Sequence, residues 1–322
     1  MAIKAKQSLV VTQRTSTLEE FIGAMTKYAE ASPDFKCYRG QRDVAWDNIP
    51  GLYRPDLAQL AQHEKRAIRD LISVHPNEFA GDETMFDRLV RMQHFGLPTR
   101  LMDVSQNPLV ALYFATDPGP DAAATDGVVT AFSVPEQREK YFDSDAVSCI
   151  ANLANMTASE KAEIIRLRQL RVRGTTREAE IDRVNGVEVY LRLHQFIRAE
   201  KPHFLPAIDP IDLFKPNYVH PKMNNRRILA QAGGFIVYGL TPPRNIRYAH
   251  AIVETRFVIP EAVKMSIRKY LELLGINEST LFPEIDRAAT RIKIRYLYFN
   301  LLQVKGIEKI ITLILFCRIN IT

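Results

Sequence analysis

Leu18, Phe21, Ile22 and Met25 recur at helical spacing behind Thr17, which predicts a helix over Thr17–Glu30 capped by the threonine. Phe35–Arg39 then reads as a short strand ending at Gly40. Helices are expected over Glu64–Ile72 and over Thr84–Phe95. In the second, Phe86, Leu89, Val90 and Gln93 share a face and Gly96 stands at the C-terminal cap position. Pro98 blocks simple continuation, so Gly96–Gln106 is expected to be an ordered loop. Asn107-Pro108 has the chemistry of a helix start, an Asn cap followed by Pro at the first helical position. Leu109, Ala111, Leu112, Tyr113 and Ala115 would make that helix apolar and closely packed.

Past a Pro-, Gly- and Asp-rich surface loop at Asp117–Asp126, a strand is expected over Val128–Val134. Residues of about 147–201 read as helical and basic, an insertion between two sheet-forming halves. Strands resume at Gly234–Leu240 and Ala251–Ile259, where Val253, Thr255, Phe257 and Ile259 alternate. Pro260 opens a helix through Leu274 that Gly275 ends. Strands and helices without regular βαβ alternation point to an α+β fold, a mixed or antiparallel sheet with flanking helices. Its divisions would be a helical lead-in over 1–34, a core over 35–290 with the insertion, and an extension over 291–322 packing on the core.

Composition narrows the class. Hydrophobic residues make up 46% of the 322 and charged ones 25%, which suits a globular protein. Cys37, Cys149 and Cys317 are too few and too scattered for a disulfide framework or a zinc site, so a reducing, cytoplasmic setting is expected. The first residues lack the apolar run of a secretory signal, and Ile310–Ile321 is too short to span a bilayer, so no membrane partner is expected. Positive charge is concentrated. Leu213–Val253 contains no acid but holds Lys215, Lys222, Arg226, Arg227, Arg244 and Arg247, and Ile164–Arg177 is likewise acid-free. Such runs suit a polyanion, or a solvated surface. With Phe214, Tyr218, Phe235, Tyr238 and Tyr248 interleaved, the first offers stacking and phosphate contacts to single-stranded RNA, or else a sheet core with cations outside.

No G-x-G-x-x-G, P-loop, H-E-x-x-H or G-x-S-x-G occurs, and the seven histidines are dispersed. Any chemistry must come from Arg, Gln, His and carboxylates gathered by folding, with no metal required. Tyr38-Arg39-Gly40-Gln41 sets an arginine near a strand end, and its planar fork suits phosphate or an acid such as Asp43 or Asp103. Gln93-His94-Phe95-Gly96-Leu97-Pro98-Thr99-Arg100-Leu101-Met102-Asp103 crowds polar groups between helices. That crowding fits a binding site, or a structural Arg100–Asp103 pair with a satisfied His94.

These two segments resemble the FRG-domain family, as do Arg227-Ile228-x-Ala230-Gln231-x-Gly233-x-Phe235 and Leu281-Phe282-Pro283-Glu284-Ile285-Asp286. Met102, Ser105 and Glu284 depart from the family's usual Leu, Thr and Asp. The resemblance implies, more distantly, an ADP-ribosyltransferase-like core and a toxin of bacterial anti-phage defence that uses NAD as substrate. RNA would be the acceptor, and an antitoxin protein a partner. On that resemblance Arg39, Gly40, His94, Thr99, Arg100 and Gln231 would bind NAD. Glu284, Arg39 and Asp103 would be catalytic, and Lys222, Arg226, Arg227, Arg244 and Arg247 would hold the nucleic acid. Glu284 also fits the first turn of a helix, where an acid complements the dipole. An NAD glycohydrolase, a protein-directed transferase and a non-catalytic nucleotide-binding module are the competing readings.

Overall fold

The structure is a computed structural model that describes residues 11–119, 125–170, 174–240 and 250–283. Eight strands form one mixed sheet: β1 (Val11–Arg14), β2 (Phe35–Gln41), β3 (Leu101–Ser105), β4 (Gly127–Val134), β5 (Glu139–Tyr141), β6 (Asn217–His220), β7 (Gly233–Val237) and β8 (Val253–Ile259). Their order is β1-β8-β4-β2-β3-β7-β6-β5. Only the outer pairs, β1 with β8 and β5 with β6, are parallel. This is the α+β class expected. Nine helices of eight or more residues are described: α1 (Leu18–Glu30), α2 (Glu64–Val74), α3 (Met85–His94), α4 (Pro108–Ala115), α5 (Asp145–Asn152), α6 (Ala158–Gln169), α7 (Arg177–Asn185), α8 (Glu188–Glu200) and α9 (Glu261–Leu273).

Local signals placed most helices within a residue or two. Thr17 caps α1 by accepting from Glu20 N at 3.1 Å, and Asn107 caps α4 by accepting from Leu109 N at 2.9 Å. Thr84 and Asp87 form a reciprocal capping box at the start of α3, each satisfying the other's backbone N–H. Thr84→Ala is therefore expected to cost about 1 kcal/mol, read as a lower urea midpoint at unchanged m.

One expectation fails. Gly96–Gln106 is not a loop throughout: the turn ends at Arg100, and Leu101–Ser105 is an interior strand pairing β7 from Leu101↔Val237 to Ser105↔Gly233. Pro98 stops α3 without touching the strand beyond it. Strands buried on both faces lose the polar–apolar alternation that would have announced this one. β1, β5 and β6 were not foreseen either.

One sheet face is covered by α1, α4 and α9 over β2, β4 and β8, where Phe21, Tyr38, Val129, Phe257 and Ile267 pack together. Fully burying such a side chain stabilises by roughly 1.5–3 kcal/mol. On the same face α3 and α5 cover β3, β7 and β6 through Phe86, Leu89, Leu101, Ile150, Val219 and Phe235. Opposite lie Cys37, Met102, Phe132, Tyr218, Ile236 and Tyr238. Residues between Cys149 and Phe214 form a separate core around Leu153, Ile164, Tyr190 and Leu193. Among the described residues no helix is long and apolar enough to cross a membrane.

Candidate functional site

The sheet changes character between β2 and β3. β4 pairs β2 over seven residues, from Phe35↔Val134 to Gln41↔Val128, whereas β3 pairs β2 only at Tyr38↔Ser105. Past that pair the strands part, and the Arg39 guanidinium occupies the opening, with Nη1 donating to the Asp103 carbonyl at 2.7 Å. Arg39 Nε is shielded from solvent and has no partner. Burial holds this guanidinium below the ordinary arginine range. Asp103 and Tyr238 act against that shift, and Arg54 adds to it. Two cations thus stand close together, since Arg54 is exposed beside the half-buried Arg39.

Strand register defines what shares Arg39's face. Arg39 pairs Thr130, and Thr130 pairs Arg256, so the three form a row across β2, β4 and β8. Gln41 flanks the row on β2, and Glu254 flanks it on β8 opposite Phe132. Segment 44–48 crosses above. Val44 O accepts from Arg256 Nη2 at 2.6 Å, Asp47 O accepts from Gln41 Nε2 at 3.2 Å, and Asn48 Nδ2 donates to Glu254 Oε2 at 3.2 Å. Beneath it Thr130 Oγ1, Gln41 Oε1, Arg256 Nε and Arg39 Nε are buried and lack partners, as does the buried Asn48 Oδ1 in the segment above them. Buried polar groups are nearly always satisfied, so four orphans on the sheet face and one on the segment facing it mark a place built for further polar contacts. Burial raises the Glu254 carboxyl above the usual range, opposed by the Asn48 hydrogen bond and by Arg256. Glu254 and Arg256 were missed in the sequence, although the alternation of Val253, Thr255, Phe257 and Ile259 already turned them to the other face.

The remaining expected residues fall elsewhere. Thr99 is buried; its hydroxyl accepts from Leu101 N at 3.1 Å and donates to Gln93 Oε1. Gln93 Nε2 in turn donates to Asp103 Oδ2 at 2.6 Å. This chain fixes the α3–β3 turn, in which Gly96 has φ +89°. The Asp103 side chain points to the face opposite Arg39, where Gln93, His94, Asn225, Arg227 and Gln231 line a small open cleft of about 80 Å³. Asp103, His94 and Gln231 therefore meet, with Arg39 reaching only the Asp103 main chain. A Cβ on Gly40 would lie 1.8 Å from Ala111 O, so the space beside Gly40 belongs to α4.

Arg100 is 1% exposed and does not pair with Asp103. Its Nε and Nη2 donate to Glu64 at 3.0 and 2.5 Å, and Nη1 donates to Tyr53 Oη at 3.2 Å and Tyr238 O at 3.1 Å. Lys161 Nζ adds a 2.5 Å bond to the same Glu64. That network belongs to the interior and leaves Arg100 no path to a ligand. Burial pushes the Tyr53 phenol up to about 12, against the pull of Arg100.

The acid-free run acquires acids from elsewhere in the chain. Lys222 pairs Glu83 at 2.6 Å and Asp87 at 3.2 Å, and Lys215 pairs Asp212. Arg226 is exposed, and Arg227 lies over the Phe282 ring, 4.9 Å from its centroid. Phe214, Tyr218, Phe235 and Tyr238 are buried and form core, not a stacking surface. Glu284, Arg244, Arg247, Tyr248 and residues 291–322 lie outside the described residues.

Comparison with known families bears on the seam itself. Residues 35–123 match the FRG domain. The FRG segment thus spans β2, α2, α3, β3 and α4, and it includes Arg39, Gln93 and Asp103. The Arg227–Phe235 and Leu281–Asp286 motifs, Thr130 and Glu254 lie beyond it. No curated protein and no solved structure matches the chain.

Proposed function

We propose that this protein is an NAD-dependent ADP-ribosyltransferase whose dinucleotide enters beside Arg39 and Arg54 and displaces segment 44–48 from the Arg39–Thr130–Arg256 face. The observation that carries the reading is the set of uncompensated groups there. Arg39 Nε, Arg256 Nε, Thr130 Oγ1 and Gln41 Oε1 lack partners, and Arg54 stands beside Arg39. Guanidinium forks of this kind suit a pyrophosphate, and hydroxyl and amide groups suit ribose and nicotinamide.

Glu254 shares the face about 12 Å from Arg39 between Cα atoms, judged from strand spacing and rise. It supplies the carboxylate that a positively charged ribose requires, a role that Glu284 or Asp103 would otherwise take. In the reaction the bond from C1′ to nicotinamide breaks and its electron pair leaves with nicotinamide. A nucleophile of the acceptor forms the new bond to C1′, and its proton passes to a carboxylate or to water. RNA stays the acceptor of first choice, approached by Arg226 and Arg227.

The test is NAD labelled in its adenylate phosphate, incubated with total RNA and with lysate protein. Label on either polymer supports transfer. Release of ADP-ribose alone favours the glycohydrolase, and NAD left intact rules out both. Arg39→Ala is expected to lower transfer about 10–100-fold, the worth of one or two charge-assisted hydrogen bonds, while Arg39→Lys recovers only part of it. Because Glu254 acts ionised and its carboxyl is raised, activity should climb with pH along a limb above the ordinary carboxylate range. That limb should vanish in Glu254→Gln.

A further inference from the structure

The cleft on the opposite face of β3 is a separate feature. It measures about 80 Å³ and opens to solvent, room for a single planar base but far short of a dinucleotide. Its polar lining is Gln93, His94, Asp103, Asn225, Arg227 and Gln231, and Phe235 forms part of its floor. Asp103 is exposed and fixed from one side by the 2.6 Å bond from Gln93 Nε2. Arg227 has no acid partner among the described residues, and Phe282 supports its guanidinium plane at 4.9 Å. Gln231 is oriented by donating Nε2 to Leu281 O at 3.0 Å, which leaves its carbonyl oxygen for other contacts. Asn225 is held by accepting from Arg227 N at 2.8 Å.

The geometry points to a subsite for the Watson–Crick and Hoogsteen edges of guanine. A cation entering this cleft would meet Arg227, and an anion would meet Asp103, so a neutral ligand is favoured. That ligand should present adjacent donors to a carboxylate and adjacent acceptors to a guanidinium. Guanine does both: N1–H and the 2-amino group face a carboxylate, and O6 with N7 faces an arginine fork. Adenine and cytosine each offer the acid a single donating group, the exocyclic amine, and uracil has no adjacent acceptor pair. The sheet lies between this cleft and the Arg39 face, so the subsite would anchor a base of the acceptor chain and not the modified atom, and in that role it rests on the transferase reading. Guanine binding itself does not.

Calorimetric titration of the full chain with GMP, IMP, AMP, CMP and UMP, all without NAD, tests it. GMP is expected to bind about tenfold more tightly than IMP, which lacks the 2-amino group, and more tightly than the other three. Asp103→Asn and Arg227→Lys should each abolish the preference while the protein stays folded, as circular dichroism reports. Equal affinity for all five nucleotides, or a GMP preference that survives Asp103→Asn, overturns the assignment. A guanine-containing oligonucleotide run in parallel separates the two sources of the base: tighter binding than GMP assigns the site to a strand, and equal binding to the free nucleotide. Since NAD is absent throughout, a failed transfer assay and a failed titration are independent results.

Discussion

Replacing Glu64 with glutamine is expected to destabilise the protein by about 3–5 kcal/mol, the usual cost of breaking a buried ion pair by removing one partner. Glu64 is 4% exposed and Arg100 1%. The amide would leave Arg100 as a buried cation with no counter-charge and the half-buried Lys161 with only the field of Glu160. Burial alone would raise the Glu64 carboxyl, but Arg100 and Lys161 outweigh it and hold the group below its ordinary value. Lys161 is driven down by burial and by Arg100, against Glu64, as expected where two cations share one acid. Unfolded glutamate titrates near 4.3, roughly, so the contribution of Glu64 is complete above that pH. It is lost as the pH falls through the lower folded value. Urea unfolding at pH 7 should show the full loss in Glu64→Gln, and the variant should lack the part of the acid-induced decline that Glu64 titration causes. A wild-type midpoint in the variant would mean that the triad contributes nothing net.

Gly40→Ala should be nearly as damaging, at or above the upper end of the roughly 1–3 kcal/mol cost of overpacking. The added methyl would sit 1.8 Å from Ala111 O, 2.7 Å from Ala111 C and 2.9 Å from Ala115 N. All three are backbone atoms of α4, so no rotamer change relieves the clash and the helix must lift. A Cβ on Gly127, in the adjacent strand β4, would meet Ala115 O at 2.1 Å. Two neighbouring strands therefore each leave out a side chain for one helix. Lifting α4 would loosen Val110, Leu112 and Tyr113, so thermal unfolding should begin several degrees lower, roughly 2–4 °C per kcal/mol. A Gly40→Ala variant with an unchanged midpoint would show that α4 does not seat against β2.

The sequence made the capped helices readable because caps are local. Thr17, Thr84 and Asn107-Pro108 each act within three residues of themselves. β3 was hidden because Leu101-Met102-Asp103-Val104-Ser105 does not alternate and follows directly on a proline turn. Arg100 was misleading for another reason: its acid lies 36 positions earlier in the chain, a separation no spacing rule covers. Lys222 looked unpaired for the same cause, as its partners Glu83 and Asp87 come from the far side of the fold. The importance of Arg39 and of the Gln93–Asp103 stretch was visible in the motifs. Their placement on opposite faces was not, since it depends on a strand register set by contacts distant in sequence. Thr130 and Arg256 join Arg39 only through that register.

The near-absence of pairing between β2 and β3 makes Arg39 a stitch as well as a ligand-facing charge. Where backbone hydrogen bonds would ordinarily close the gap, one guanidinium nitrogen ties Arg39 to the next strand. An anion that drew this group toward itself would slacken the tie, so occupancy of the polar face and tightness of the join are set by the same side chain. Amide exchange at β3 would report this coupling.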